Sequence, residues 1–194
     1  MGGTRLRDVT APHAKSADPP TSLAGGSVRV RRPHIGDLAA LIALENETFV
    51  ADRLSARQWR YHLTNPNAHV LVATRDEMLI GACVVFFRDN SKRARVYSIA
   101  TAAAARGAGI GAMLLAAAEA AAHRRGCTAI RLEVRRDNGA AHRLYLRLGY
   151  RELGVRAAYY EDGHDAFLFE KPIAIAAPAV SDEARKGLPT SRSR

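Results

Sequence analysis

The sequence predicts an α/β fold in which a central sheet, mixed but mostly antiparallel, is flanked by helices. Strand-like and helical runs follow one another in the order βααβββαβαββ over residues 28–172. Three consecutive strand-like runs in the middle are joined by short polar turns, which is typical of antiparallel pairing. The 194 residues, 47% of them hydrophobic, suffice for one core but not for two ordinary domains.

The first part of the chain supplies a strand and two short helices. Residues 28–32 form the strand, and Asp37 is placed to cap a helix whose apolar residues repeat at helical spacing. Ser55 and Gln58 form a capping box that begins the second helix, which we expect to end at Asn65-Pro66.

Three strands and a longer helix follow. Residues 69–74 and 78–88 are β-rich runs on either side of an Asp76-Glu77 turn, and residues 95–101 add a third strand. The helix over residues 109–125 is alanine-rich and carries an apolar stripe.

The last part of the chain predicts a strand, a helix and two closing strands. Residues 128–134 form the first strand, and Asn138 caps the helix that follows. Gly126 and Gly149 stand at positions that end the helix over residues 109–125 and the helix that Asn138 caps. The closing strands flank an Asp-Gly turn at residues 162–163.

The two ends of the chain lack periodicity and are predicted to be disordered. Residues 1–27 form an N-terminal extension, residues 28–172 the folded domain, and residues 173–194 a C-terminal tail.

Composition limits the classes of protein that this chain can be. No apolar run reaches the length of a membrane helix, and the two cysteines show neither a disulfide framework nor metal-ligand spacing, so we expect a cytoplasmic protein without a metal. The formal charge of +10 favours an anionic cofactor or proximity to nucleic acid such as the ribosome. Because most of the basic residues are arginines in an alanine-rich chain, a bias in coding composition would produce the same charge.

A glycine-rich segment between a strand and a helix is the main functional motif. Glycines at 107, 109 and 111 let the backbone come close to a ligand, and the N–H groups of the first helical turn favour an anion such as pyrophosphate. The segment also fits a dinucleotide fingerprint, with Glu133 as the ribose-binding acid, but residues 101–106 separate the strand from the first glycine. A P-loop is excluded because the sequence contains no G-x-x-x-x-G-K-[ST].

The functional motifs lie in five parts of the sequence: 99–101, 106–111, 132–135, Asn138 and 144–150. In order and spacing they resemble those of the GNAT superfamily of acetyl-CoA-dependent N-acetyltransferases, and the resemblance covers about residues 28–172. The segment Leu-Glu-Val-Arg at 132–135, with Asn138, Tyr145 and residues 159–166, is similar to the RimI group, the bacterial ribosomal-protein alanine N-acetyltransferases.

The resemblance implies that acetyl-CoA is the acyl donor and an amine the acceptor. Backbone groups of Ile99, Ala100 and Thr101 would bind the pantetheine arm, since strands that splay apart leave such groups unpaired. Asn138 would contact the donor as well as cap its helix. The loop for the pyrophosphate would comprise Arg106, Gly107, Ala108, Gly109, Ile110, Gly111 and Ala112.

Acetyl transfer needs a neutral amine, stabilisation of an oxyanion and a proton for the departing thiolate. Glu133 is the candidate general base; its alternative is a surface glutamate paired with Arg131 or Arg135. Tyr145 is the candidate general acid, and its alternative is a core tyrosine. Attack within a ternary complex is preferred, because nothing in the sequence activates either cysteine.

Two histidines, His123 and His142, are expected to face solvent rather than to act as catalysts.

The acceptor is less strongly indicated than the donor. An α-amino group has a pKa of ~7.7–8.0 against ~10.4 for lysine, so it supplies more neutral nucleophile at pH ~7 and favours a protein or peptide N-terminus. Tyr159 and Tyr160 resemble an aromatic lip for a peptide, or they pack the hairpin. Residues 49–59, the opposite wall, depart from the RimI pattern.

Two alternatives therefore stay open. One is a small-molecule amine or lysine acetyltransferase on the same scaffold, and the other is a basic module associated with nucleic acid whose cofactor site is degenerate. No membrane partner and no direct function on DNA are expected.

Overall fold

The structure, a computed structural model, describes residues 26–49 and 53–173. The predicted order βααβββαβαββ is confirmed. The helices are α1 (Leu38–Thr48), α2 (Ala56–Thr64), α3 (Ile110–Arg124) and α4 (Gly139–Arg147). The strands are β1 (Val28–Arg31), β2 (Ala68–Arg75), β3 (Met78–Phe86), β4 (Arg93–Thr101), β5 (Ala129–Arg135), β6 (Arg151–Arg156) and β7 (Ala166–Pro172). Apart from Gly26, Ser27 and Ile173, the terminal extensions predicted to be disordered lie outside the described residues.

All seven strands form one sheet in the order β1-β2-β3-β4-β5-β7-β6. The pair β4–β5 is parallel and the other neighbours are antiparallel, so the sheet is mixed and mostly antiparallel, as predicted. The parallel pair follows from the helical crossover α3, which returns the chain to the same end of the sheet before β5 begins.

Helices cover the sheet on two sides. On one face α3 packs over the central strands, and its buried side chains join those of β5 and β7 and Tyr145 of α4 in the larger core. On the other face α1 and α2 cover β2, β3 and β4 with a second, smaller core. The part of that face formed by β5, β7 and β6 has no helix over it in the described residues.

The close contact between α3 and the sheet depends on Gly81. A Cβ atom at this position would lie 3.0 Å from Cγ2 of Ile110, 3.1 Å from the carbonyl oxygen of Ala100 and 3.1 Å from Cδ1 of Leu114. Two of these atoms belong to the first turns of α3, so the absence of a side chain at Gly81 fixes the height of that helix above β3.

Most local signals in the sequence produced the expected structure. Ser55 and Gln58 form the predicted capping box of α2, and Oδ1 of Asn138 accepts a hydrogen bond from the Ala141 N–H at the start of α4. Gly126 and Gly149 take positive φ values of 70° and 84° just beyond α3 and α4.

Asp37 occupies the N-cap position of α1, as predicted, but its side chain does not cap the helix. Its carboxylate makes no side-chain capping bond to that helix and instead accepts two hydrogen bonds from Arg31, at 2.7 and 2.9 Å, and one from the His34 N–H. The bonds from Arg31 hold the pKa of Asp37 below its usual range. The carboxylate therefore ties β1 to the turn before α1.

One further expectation needs correction. His142 does not simply face solvent, because its Nε2 lies 3.0 Å from Oε2 of Glu152 and its ring packs against those of Phe167 and Phe169. His123 is exposed, as expected.

The strand β6 is an edge of the sheet and is exposed along its length. Its register with β7 shifts between Glu152 and Gly154, which marks a bulge, and Gly154 has a φ of 148°. Within the described residues, none of the helices has the length and hydrophobicity to cross a membrane.

We expect the stability of the fold to fall at mildly acidic pH because of His69. Burial, together with Arg32, Arg125 and Arg124, lowers the pKa of His69 to about 4, whereas in an unfolded chain histidine titrates near ~6.5. Between these values the unfolded chain binds a proton that the folded chain does not, so the free energy of unfolding decreases as pH falls.

Urea denaturation at pH values from about 7 to about 4.5 would measure this effect. His69→Gln should lose less stability over this range than the wild type, while the exposed control His123→Gln should follow the wild type. Equal pH dependence in His69→Gln and the wild type would contradict the assignment to His69.

Candidate active site

The site is built around a gap between β4 and β5. These strands pair only through residues 93–95 and 129–131, with Arg95 opposite Arg131 as the last pair. Beyond that pair β4 continues to Thr101 and β5 to Arg135 without ladder bonds between them. A bulge in β4 near Tyr97, where its register with β3 shifts, accompanies the divergence. Beyond Arg95, one edge of β4 therefore has no strand across from it among the described residues, and Ile99, Ala100 and Thr101 lie on this part.

The glycine loop lies where β4 leads into α3. Gly107 and Gly109 have positive φ values of 77° and 78°, and a Cβ atom at either position would meet nothing within 4 Å. Arg106, Gly107, Ala108 and Gly109 are exposed. The loop thus combines a left-handed backbone with open space.

The first turn of α3 gives this loop its chemical character. Because the helix begins at Ile110, the N–H groups of Ile110, Gly111 and Ala112 have no carbonyl one turn earlier in the helix to bond. The positive end of the helix dipole points the same way, so an anion would be stabilised there.

Glu133 lies at the gap on β5 and is buried, with 3% of its surface exposed. Ile130, Leu132 and Val134 turn towards the larger core, so Glu133 projects to the opposite face, as predicted. Its Oε2 accepts a hydrogen bond from Nε of Arg95 at 3.0 Å, and its Oε1 lies 3.7 Å from Nη1 of Arg156.

The expected alternative partners of Glu133 are engaged elsewhere. Arg131 donates to Glu170, and Arg135 pairs with Asp162 and Asp137. Glu133 is therefore not a surface glutamate held by the neighbours on its own strand, and the partners that it does have come from β4 and β6.

Tyr145 lies on α4 and is buried, with 3% of its surface exposed. Its ring packs against those of Tyr150 and Phe169, at centroid distances of 5.8 and 5.7 Å. Since Phe169 faces the larger core, Tyr145 and Glu133 lie on opposite faces of the sheet.

The connection between β6 and β7 closes the side of the gap that contains Glu133. The Tyr159 hydroxyl accepts a hydrogen bond from Nη2 of Arg95 at 2.6 Å, and the ring of Tyr159 stands nearly perpendicular to that of Tyr160. Tyr160 is buried and has the guanidinium of Arg135 5.0 Å from its ring centroid. Tyr160 thus packs the hairpin, whereas Tyr159 is tied to the site.

An open depression adjoins this connection. It is lined by acidic, basic and histidine side chains from the end of β5 and from residues 162–165: Arg136, Asp137, Asp162, Gly163, His164 and Asp165. The hydrogen bond from Arg135 lowers the pKa of Asp162 to about 2, so this carboxylate stays ionised at neutral pH.

The last two turns of α1 accept hydrogen bonds from other parts of the chain. Glu45 is buried and accepts one from the Leu54 N–H at 2.6 Å, while Glu47 accepts one from the Ala103 N–H at 2.7 Å. Residues 50–52, part of the predicted opposite wall, lie outside the described residues.

Three residues at or near the site, Arg95, Arg156 and Glu45, were not predicted from the sequence. The signal for Arg95 was available, because it lies between the apolar residues Ala94 and Val96 and must therefore project to the same face as Glu133. No local pattern distinguishes Glu45 or Arg156 from ordinary surface residues.

Covalent catalysis and metal binding find little support in the described residues. Burial raises the pKa of the Cys83 thiol to about 12 and also raises that of Cys127, which disfavours a thiolate at either position. Across residues 26–49 and 53–173, no group of three or more His, Cys, Asp or Glu side chains is arranged to hold a metal ion.

The chain is similar in sequence to known acetyltransferases. A model of the acetyltransferase (GNAT) family matches residues 38–150. A Bacillus subtilis protein with the provisional name ribosomal protein bS18-alanine N-acetyltransferase is 29% identical over 140 residues, which are 72% of this chain and 91% of that protein.

Two solved structures resemble the fold closely. That of the ribosomal-protein-S18-alanine N-acetyltransferase from Escherichia coli superposes with a TM-score of 0.69 at 24% identity, over 79% of this chain and 99% of the other. That of nourseothricin acetyltransferase gives a TM-score of 0.63 at 26% identity, over 76% of this chain and 99% of the other.

The substitution Gly109→Val tests the glycine loop as the binding site for acetyl-CoA. A β-branched side chain would occupy the open space beside the loop and resist the left-handed backbone, at a cost of about 1–2 kcal/mol. We expect the variant to stay folded but to lose binding of acetyl-CoA, as measured by calorimetry.

Gly163→Val provides the matched control, because Gly163 has a φ of 81° and equally open surroundings but lies in the β6–β7 connection. It should lose a similar amount of stability while keeping its affinity for acetyl-CoA. Wild-type affinity in a folded Gly109→Val variant would rule out the loop as the phosphate site.

Proposed function

Because this chain belongs to the GNAT acetyltransferase family, we propose that it transfers the acetyl group of acetyl-CoA to the α-amino group of a protein or peptide N-terminus. The observation that carries the proposal is the gap between β4 and β5, with a buried carboxylate on one face of the sheet and a buried tyrosine on the other. Donor and acceptor would approach from these two faces and meet in the gap.

The described residues fit a phosphorylated donor. The first-turn N–H groups of α3 and the open, positive-φ positions Gly107 and Gly109 suit a pyrophosphate, and the exposed Arg106 adds a positive charge. The unpaired edge of β4 at residues 99–101 offers backbone groups to an amide-bearing arm. Asn138, which caps α4, would lie at the same end of the site. Acetyl-CoA supplies the thioester whose acyl group is transferred.

The two candidate catalysts divide the proton transfers between them. As the new C–N bond forms and the C–S bond breaks, the carboxylate of Glu133 takes the proton from the amine, directly or through a bridging water. The phenol of Tyr145 supplies a proton to the sulfur. The arginines beside Glu133 keep its carboxylate oriented at the acceptor side.

An α-amine suits this arrangement better than a lysine. At neutral pH it offers a far larger fraction of neutral nucleophile, so one carboxylate base suffices. The provisional name of the Bacillus subtilis relative, a ribosomal-protein alanine N-acetyltransferase, supports an N-terminal acceptor.

The charge of the open sheet face supports an acidic setting such as the ribosome, in the cytoplasm. The register of β4, β5, β7 and β6 puts six arginines on this face, together with Glu133 and Glu170. The arginines are Arg93, Arg95, Arg131, Arg135, Arg151 and Arg156. Such a surface would raise the rate of encounter with a negatively charged assembly.

A small-molecule amine is the second candidate. It is favoured by the similarity to nourseothricin acetyltransferase, an enzyme named for a small-molecule substrate. Both candidates use the same donor site and the same pair of catalysts, so they differ only in the acceptor.

A panel of acceptors tests the choice between them. Lysine-free peptides with free N-termini, peptides with a blocked N-terminus and one lysine, polyamines and amino-group antibiotics would each be incubated with acetyl-CoA, and thiol release would be measured. We expect turnover of the free N-terminal peptides above all others. Turnover confined to small amines would support the second candidate. A protein that does not bind acetyl-CoA would instead fit the alternative of a module associated with nucleic acid.

Glu133→Gln tests the general base. The amide still accepts a bond from Arg95 but cannot take a proton, so kcat should fall by about 10²- to 10⁴-fold with affinity for acetyl-CoA nearly unchanged. The dependence of the rate on ionisation of the amine should remain, because the substitution does not change the acceptor. Glu170→Gln is the matched control, because Glu170 lies on the same face and also pairs with two arginines; it should keep the wild-type rate.

Tyr145→Phe tests the general acid in the same way, with a similar expected loss of kcat. Tyr150→Phe is its control, since the two rings are in contact and both are buried. If Tyr145→Phe reacts as fast as Tyr150→Phe, the Tyr145 hydroxyl has no catalytic role.

A further inference from the structure

We propose that Arg95 is a positioning residue for the transfer reaction, which holds the carboxylate of Glu133 and the hydroxyl of Tyr159 in one fixed arrangement. The inference rests on the proposed role of Glu133 as base. It adds a residue that acts through that base and links it to the segment between β6 and β7.

The geometry of the guanidinium carries the argument. Nε of Arg95 donates to Oε2 of Glu133 at 3.0 Å, and Nη2 donates to the Tyr159 hydroxyl at 2.6 Å. One rigid, planar group therefore fixes the distance between two side chains that are far apart in sequence. A lysine ammonium is a compact point charge on a flexible stem and could not reproduce this fork.

The position of Arg95 explains why such a group is needed. Arg95 and Arg131 are the last ladder pair before β4 and β5 diverge, so Glu133, two residues further along β5, has no β4 residue paired with it. The Arg95 side chain reaches across the widening gap to the carboxylate. With 24% of the Arg95 side chain exposed and 3% of that of Glu133, this contact is shielded from solvent far more than a surface ion pair.

The second carboxylate oxygen has its own cationic neighbour. Oε1 of Glu133 lies 3.7 Å from Nη1 of Arg156, at the end of β6, and the guanidinium of Arg156 lies 5.8 Å from the ring centroid of Tyr159. The two arginines therefore restrain rotation of the carboxylate from both sides. Of the two, Arg95 makes the shorter contact and also holds the tyrosine.

Tyr159 belongs to a segment that is braced internally. The Tyr159 and Tyr160 N–H groups both donate to the carbonyl of His164, and the Ala158 N–H donates to Asp165. Because the segment is held together in this way, fixing the Tyr159 hydroxyl fixes the segment relative to the base. Arg95 thus keeps the acceptor side of the site at a constant distance from Glu133.

The experiment compares Arg95→Met and Arg95→Lys with Arg131→Met, on the full chain. Arg131 is the register partner of Arg95 on the same face but bonds Glu170 instead of Glu133. The probe is a lysine-free peptide beginning with alanine, with acetyl-CoA as donor. We expect Arg95→Met to lower kcat by about 10²-fold, the effect of misplacing a catalytic group by about 1 Å, and Arg95→Lys to recover only part of the loss. Arg131→Met should keep the wild-type kcat, and all three should bind acetyl-CoA normally.

Tyr159→Phe and the double variant with Arg95→Met test the coupling. If both residues act through one hydrogen-bonded arrangement, the double variant should be no slower than Arg95→Met alone. In Arg95→Ala, guanidinium chloride below denaturing concentrations should restore part of kcat, while sodium chloride should not. A purely structural role of Arg95 would give a loss of stability without rescue.

Hydrogen exchange gives a readout that does not depend on the acceptor. Amides of residues 157–165 should exchange faster in Arg95→Met and in Tyr159→Phe than in the wild type, with those of α3 unchanged. Unchanged exchange of the amides of residues 157–165 would overturn the proposal. A normal kcat in Arg95→Met would also overturn it if Glu133→Gln is inactive. If Glu133→Gln is fully active, the assignment of the base fails, whereas faster exchange in the Arg95 variant would still support the link between Arg95 and the segment.

Discussion

The early end of the β4–β5 ladder is the constraint on which the rest of the structure depends. Parallel strands that stay paired leave no room for a ligand between them, whereas these two separate after Arg95 and Arg131. The separation exposes one edge of β4 and leaves Glu133 paired with β7 on one side but with no ladder partner on the β4 side. The neighbouring elements, from the glycine loop to the β6–β7 connection, are arranged around this opening.

The two faces of the sheet serve different parts of the site. On one face α3 presents its N-terminus next to the glycine loop, and α4 supplies Tyr145. On the other face the arginine-rich surface surrounds Glu133, and Tyr159 lies within hydrogen-bonding distance of Arg95. Gly81 affects the first of these faces, because the contact of Ile110 and Leu114 with β3 sets the height of the loop over the sheet. A small residue in the core thereby controls the geometry of an exposed loop.

How well the sequence predicted each feature depended on the range of the interaction. The capping box of Ser55 and Gln58 and the glycines that end α3 and α4 depend on residues close in sequence, and all were predicted correctly. Asp37 failed as a cap because Arg31, on the preceding strand, competes for its carboxylate. The roles of Glu133, Tyr145 and the donor-binding residues rest on their positions and on resemblance, and they stay predictions.

The partners of Glu133 show why the site was harder to predict than the fold. Arg131 and Arg135 are its neighbours in sequence on the same face, but side chains two residues apart on a strand run parallel to each other. The cationic partners of Glu133 come instead from other strands, Arg95 on β4 across the gap and Arg156 on β6, which lies beyond β7 in the sheet. A pattern within one strand cannot identify residues that topology brings in from elsewhere.

The bulge in β6 has a consequence for the behaviour of the protein in solution. An edge strand with regular pairing offers a continuous row of backbone donors and acceptors on which another chain can add a strand. Here the register shift between Glu152 and Gly154 interrupts that row, and Arg151 and Arg156 place charge at both ends of it. The exposed side chains of Leu153 and Val155 therefore lie on an edge that is poorly suited to polymerise. This irregularity opposes aggregation at this edge of the sheet.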